Sequence, residues 1–236
     1  IDHYGIDKKW IESFKSLTSK YTKNTKFLII DDLVEKTFYA NILLNQNLYN
    51  LNKESLYKDL LPADCIKLIG PKYSILSEEY KNIRRKCRIR DKIERVMIYF
   101  GGVDKNNYTE DVILQIIDMK LFDIKFDVVI GQQNKNRKSI EYRISDNKFF
   151  KLHIQIDTLA NLMSESDFYI GSSGTTTWER GCLGLPSIVK AISADQINII
   201  RNLEQKGLTE EFNSKNFKNV FSKYINNPNL LKSKRK

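Results

Sequence analysis

The chain has 236 residues, a formal net charge of +10 and 41% apolar residues. That is room for one large core or two small ones, and no apolar run is long enough to span a membrane. The excess lysines are spread along the chain without a clustered patch or a recognition motif, so the charge does not make nucleic acid the expected partner. Cys65, Cys87 and Cys182 stand far apart and form no CxxC pair, which points to a reducing cytoplasm with neither a disulfide framework nor a zinc site. Two histidines cannot build a multi-His metal centre.

Ile1-Asp2-His3-Tyr4-Gly5 reads as a strand end and a turn, and the chain starts at Ile rather than Met, so a preceding segment is expected. A helix is predicted from about Lys8 to Ser19. Lys26 to Asp32 is a short buried strand with acids at its C-terminal end, the end that faces the ligand crevice in parallel α/β sheets. Asp31 and Asp32 are therefore functional candidates, although Asp32 is also placed to cap a following helix. Ile42 to Asn47 is another apolar run with a polar exit. Tyr49 to Asp64 reads as polar and irregular, Ile66 to Tyr73 as a short strand and turn, and Glu78 to Asp91 as a charged helical or extended stretch.

A second α/β region begins at Arg95–Asp104, a β-branched and aromatic strand ending in Gly101-Gly102. A helix follows from about Tyr108 to Met119, with Ile113, Ile116 and Ile117 at helical spacing. Next come a strand Phe126–Gly131, a polar loop, a helix near Ser139–Ser145, and an alternating strand Lys151–Ile156 that contains His153. A helix from Leu159 to Ser164 is predicted with Asp157 as its cap. Strands and helices alternate from Val96 through Val189, the signature of a doubly wound parallel sheet. Its crevice is expected to be lined by the loops at Gly101-Gly102, Gly131, Ile156-Asp157 and Ser172–Thr176.

The stretch Asp167–Val189 organises this region. An apolar strand runs into six small residues, Gly171 to Thr176, then a helix closed by Gly184-Leu185-Pro186, then a second strand, Ser187 to Ala191. Cys182 on that helix reads as a small buried apolar residue. Two readings stand. In one, Ser173, Gly174, Thr175 and Thr176 meet the helix N-terminus as a phosphate or diphosphate seat. In the other, Thr176 and Glu179 form a capping box and the loop merely starts a helix. Asp195-Gln196 opens a further helix through Leu203.

Several segments resemble, in order, those of the UDP-sugar hydrolases of pseudaminic acid biosynthesis. They are Ile1–Asp7, Asp31-Asp32-Leu33, Leu43–Asn47, Gly70-Pro71-Lys72-Tyr73, Phe100–Asp104 and Thr176-Thr177-Trp178-Glu179. Those enzymes are relatives of the MurG-type glycosyltransferases, and spore-coat polysaccharide proteins share the pattern. The resemblance implies an α/β, GT-B-like fold of two Rossmann-like domains, the N-terminal one incomplete in this chain. The domains expected are 1–68 on the sugar side, a connecting segment 69–94, and a UDP-binding domain 95–236. It implies hydrolysis of a UDP-linked 2,4-diacetamido-trideoxy sugar at the anomeric carbon, with release of UDP and no metal or other cofactor.

By the same resemblance, Glu179 binds the ribose, Ile156 meets the uracil, and Gly101, Gly102, Ser173, Gly174 and Thr175 surround the diphosphate. Tyr4 lies on the sugar side. Asp195-Gln196 stands where the family shows Asn-Gln, so Asp195 either alters the sugar contact or caps its helix. The family's catalytic histidine lies in a Gly-rich loop upstream of Ile1, and His3 is not its counterpart. A glycosyltransferase using the same nucleotide seat, and a nucleotide-sugar binding module without chemistry, are the competing readings.

Overall fold

Two parallel sheets organise the chain. The computed structural model describes residues 1–22, 24–50, 53–87 and 91–234. Residues 51–52 of the Tyr49–Asp64 stretch, 88–90 of the charged Glu78–Asp91 stretch, and the last two residues of the basic tail lie outside it. The chain divides into two compact units, Ile1–Ile75 and Leu76–Lys236.

In the first unit, helix α1 (Lys8–Thr18) starts at Asp7, whose carboxylate accepts from the Trp10 N–H at 2.9 Å. Strands β1 (Leu28–Ile30), β2 (Ile42–Asn45) and β3 (Ile66–Ile69) form a parallel sheet in that order. Ile1 is not in a strand, but its carbonyl accepts from the Ile30 N–H at 2.9 Å, so this segment runs along β1. No helix follows β1, so Asp32 caps none; its carboxylate accepts instead from the Tyr4 hydroxyl at 3.2 Å. Asp31 is buried and occupied, accepting from the Val34 N–H at 3.0 Å and the Tyr57 hydroxyl at 2.7 Å. The stretch expected to be irregular therefore contains a short helix, α2 (Lys53–Leu56), and a fully buried Tyr57. Tyr57 is held from the other side by the Asn45 amide at 2.8 Å. Its hydroxyl is pushed far up by burial and by Asp31, so it acts as a fixed donor.

The second unit opens with α3 (Glu78–Arg84) and continues as an alternation. Strands are β4 (Arg95–Tyr99), β5 (Lys125–Ile130), β6 (Phe150–Ile154), β7 (Phe168–Ser172), β8 (Ser187–Lys190) and β9 (Glu210–Glu211). The helices between and after them are α4 (Tyr108–Asp118), α5 (Arg137–Ile144), α6 (Ala160–Glu165), α7 (Thr176–Leu183), α8 (Ala194–Gln205), α9 (Phe217–Ile225) and α10 (Pro228–Ser233). All strand pairs are parallel, in the order β6-β5-β4-β7-β8-β9. Numbered from β4, this is the 3-2-1-4-5-6 order of dinucleotide-binding sheets, whose switch point lies between β4 and β7.

Strand alternation sorts the core onto the two faces. Val96, Ile98 and Phe100 pack with Val112, Ile113, Ile116, Phe217 and Phe221 on one side. Met97, Val129, Tyr169 and Val189 pack with Tyr80, Met163, Leu183 and Ile200 on the other. Strands buried on both faces explain why the sequence shows apolar runs rather than clean alternation. Helix α7 ends as its Gly184-Leu185-Pro186 stop predicts: Gly184 takes φ 63°, and the Leu185 N–H returns to the Arg180 carbonyl at 2.9 Å. His153 is a structural residue, its Nε2 lying 2.6 Å from the buried carboxylate of Asp127, which also takes the Arg95 Nε at 2.5 Å. The tail beyond Leu203, unassigned from sequence, supplies β9, α9 and α10.

Candidate functional site

The loops at the C-terminal ends of β4, β5 and β6 meet around a pocket of about 570 Å³, a size typical of small-molecule sites. Its walls include Tyr80, Tyr99, Gly102, Gly131, Ile156 and Glu179. Gly102 and Gly131 touch backbone to backbone: the Gly131 N–H donates to the Gly102 carbonyl at 2.8 Å, and a Cβ on Gly131 would lie 2.8 Å from Gly102 Cα. At position 131 only glycine lets the two loops approach this closely. Gly101, beside them, takes φ 89° at the exit of β4. On the β6 side, Gln155 adopts φ 51°, and its side chain accepts from the Gln132 N–H at 3.2 Å, which ties the two loops together.

Glu179 reaches the pocket from α7, and its partner is Tyr80 of α3, whose hydroxyl hydrogen-bonds to the carboxylate. Burial holds the Glu179 carboxyl above the ordinary carboxylate range, against the opposing pull of Tyr80 and Arg180. The expected capping box does not form. Helix α7 is capped at Thr175, not Thr176, and no side chain caps it. Thr176 already has helical geometry, so its hydroxyl does not serve as a cap, and Glu179 turns to Tyr80 and the pocket. Cys182, expected buried, is partly buried and packs against the core on the Met97 face. The cap of α6 is likewise corrected: Asp157 is exposed at the pocket rim, and the Thr158 hydroxyl accepts from the Ala160 N–H at 3.1 Å.

The small-residue loop after β7 forms a second cluster. Ser173 is fully buried, its hydroxyl 3.0 Å from that of Thr177. Gln196, buried in the first turn of α8, accepts from the Ser173 N–H at 3.3 Å and the Ile192 N–H at 3.2 Å, joining the exits of β7 and β8. A Cβ on Gly174 would lie 3.5 Å from the Gln196 amide nitrogen. Among the described residues, the N–H groups of Gly174, Thr175 and Thr176 find no acceptor in the protein. Helix α4 differs, because Asp104 accepts from Tyr108 and Thr109 at 3.0 and 2.7 Å and fills its N-terminus with a carboxylate. Of these two termini, the one left open to an anion is that of α7.

The geometry thus groups the residues expected from sequence. Gly102, Ile156 and Glu179 line one pocket with Gly101 beside it, while Ser173, Gly174, Thr175, Thr176 and Gln196 gather at the β7 exit. Asp195 is exposed, and the N-cap of α8 is Ser193, so Asp195 does not cap its helix. Tyr4 is exposed in the first unit, bonded to Asp32. Sequence reasoning missed Tyr80, Tyr99 and Arg180. Tyr99 carried a signal, since alternation in β4 puts it on the Met97 face beside a glycine pair; Tyr80 carried none.

This is the crevice of a doubly wound parallel α/β sheet, and comparison with known proteins places the chain in its family. The family described as "Protein of unknown function (DUF354)" matches residues 71–233, and the chain belongs to it. It is 27% identical over 199 residues to the uncharacterized protein MJ1062 of Methanocaldococcus jannaschii, covering 80% of this chain and 39% of that one. It is 24% identical over 170 residues to the spore coat polysaccharide biosynthesis protein SpsG of Bacillus subtilis, covering 71% and 46%. The chain spans less than half the length of these curated relatives. Among solved structures, MurG of Acinetobacter baumannii superposes with a TM-score of 0.62 at 14% identity, covering 96% of this chain and 72% of that one. UDP-GlcNAc 2-epimerase from Neisseria meningitidis, bound to UDP-GlcNAc, gives 0.62 at 15% identity, covering 95% and 74%. The fold is the α/β, parallel-sheet GT-B type of these proteins.

Proposed function

We propose that the chain acts on a UDP-linked sugar in glycan biosynthesis and that its second unit grips the UDP. The observation that carries this reading is the pocket at the C-terminal ends of β4, β5 and β6, with Glu179 in its wall and the uncapped N-terminus of α7 on the same helix. The polarity of the site supports a direction for the ligand. Glu79, Asp157 and Glu179 line the pocket and suit hydroxyl and N–H donors, not phosphates. The diphosphate is therefore assigned to Gly101, Gly102 and the free N–H groups of the Ser173–Thr176 loop. Glu179 is assigned to the ribose hydroxyls and the backbone at Ile156 to the uracil. The SpsG relative in polysaccharide biosynthesis and the UDP-sugar-bound epimerase of like fold support the substrate class.

For the whole protein we propose hydrolysis at the anomeric carbon of a UDP-linked 2,4-diacetamido-trideoxy sugar. The anomeric C–O bond breaks, water supplies the new oxygen, and UDP leaves with the electron pair. Preorganised N–H donors at the leaving phosphate stabilise the charge that develops. Passing the sugar to an acceptor instead of water is the second reading, and a role in polysaccharide biosynthesis like that named for the SpsG relative suits either. Free sugar and UDP measured with and without added acceptor distinguish the two. Binding itself is tested by titration calorimetry in EDTA. UDP is expected to bind at least tenfold more tightly than uridine; equal affinities would remove the diphosphate seat.

A further inference from the structure

Arg180 lies one residue beyond Glu179, yet it is buried, with 3% of its surface exposed. Its Nε donates to the Ser187 hydroxyl at 3.1 Å, one terminal nitrogen to the Ser172 carbonyl at 3.3 Å, and the other toward the Ser173 hydroxyl at 3.5 Å. The guanidinium also sits 4.9 Å from the centre of the Tyr169 ring. Every one of these partners is neutral. Arg180 forms no ion pair with a described residue, and the nearest acid in sequence, Glu179, is engaged by Tyr80. Burial pulls the guanidinium below its ordinary value, but arginine stays charged at neutral pH.

A buried cation hydrogen-bonded only to neutral acceptors is costly, and the coulombic pull of Glu179 offsets only part of the hydration it has lost. Its position gives the charge a use. Ser172 and Ser173 open the β7–α7 loop, so the guanidinium is held at the start of the loop that carries the free N–H groups of Gly174, Thr175 and Thr176. The uncapped end of α7 adds potential of the same sign. Arg180, Ser172 and Ser173 are all buried, so the charge is screened less than that of the exposed lysines.

We propose that Arg180 is the positioning residue of the diphosphate seat. It acts from beneath the loop, through Ser172 and Ser173, and gives the loop its preference for a nucleoside diphosphate over a neutral nucleoside. The inference rests on the assignment of that loop to the diphosphate. The alternative role is scaffold, a donor that ties α7 to β8 through Ser187. The two differ in one respect: a scaffold needs donors, whereas the field needs charge.

Arg180→Lys and Arg180→Gln isolate that difference, since both are shorter, both can still donate, and only the first is charged. Calorimetry on the full chain measures UDP and uridine with each. The ratio of the two affinities is expected to stay within about threefold of wild type in Arg180→Lys. In Arg180→Gln it is expected to fall about tenfold, with uridine affinity little changed. An equal ratio in the two variants overturns the proposal. So does failure of both to fold, judged by circular dichroism and uridine binding, because that assigns Arg180 to the scaffold. If wild-type protein itself binds UDP no better than uridine, the diphosphate assignment fails, which is a separate result read from the unmutated chain.

Discussion

At the residue scale, Glu179 is the side chain on which the functional reading turns, and its protonation has a definite sign. Burial raises its carboxyl above the ordinary value, so the folded state binds more protons than the unfolded chain between the two values. The contribution of Glu179 to stability therefore falls as pH rises through that window, and at neutral pH its ionised form is a cost. No helix cap is lost with it, since α7 has no side-chain cap. Glu179→Gln is thus expected to leave the melting temperature at pH 7.5 unchanged or slightly higher, within about 1 kcal/mol of wild type. UDP affinity is expected to drop about tenfold or more, because charge-assisted bonds to two ribose hydroxyls are replaced by weaker ones. Thermal melting and calorimetry on the same preparation check both. A lower melting temperature with unchanged UDP affinity would make Glu179 a stabilising residue and nothing else.

At the scale of elements, the β4–β7 contact is the seam on which the switch point depends. Gly171 pairs with Tyr99 across it, and a Cβ at position 171 would lie 1.9 Å from the Tyr99 carbonyl oxygen and 2.6 Å from the Tyr169 hydroxyl. The first obstacle is backbone, so it cannot swing aside. Gly171→Ala is expected to destabilise the second unit by about 3 kcal/mol or more, read as a shifted urea midpoint; a change under about 1 kcal/mol would show that the seam opens cheaply. Much of this architecture was legible. Each piece of Asp167–Val189 carries its own local signal: a β run, six small residues, and a Gly-Leu-Pro stop. What stayed hidden depends on partners distant in the chain. Tyr57 sits in a polar stretch and is buried only because Asp31 and Asn45 wait for its hydroxyl. Glu179 looked like the far half of a capping box because spacing cannot show that Tyr80 competes for it. The first-turn identity of Thr176 was a one-residue error in the helix start, enough to change the cap entirely.

At the scale of the whole molecule, the proposed nucleotide seat is one half of a reaction, and the placement of proton-transfer groups decides the other. Among the described residues, no histidine lines the pocket. His153 is held by Asp127 within β6, and the His3 Nδ1 accepts from the Gly5 N–H at 2.9 Å in the first unit. Tyr4 bonds to Asp32, and Asp195 is solvent-exposed. Loss of a general base typically costs about 10²–10⁴-fold in rate, and imperfect orientation of the sugar lowers it further. The chain 1–236 is therefore expected to bind UDP in EDTA yet to release UDP from a UDP-sugar at close to the background rate. Chromatographic quantification of UDP over hours, beside a calorimetric affinity from the same sample, checks the two halves independently. Release at an enzymatic rate would assign the base to a side chain other than histidine, first the pocket carboxylates Glu79 and Asp157, and Glu79→Gln, Asp157→Asn, Tyr4→Phe and Asp195→Asn would then be expected to show which one carries it.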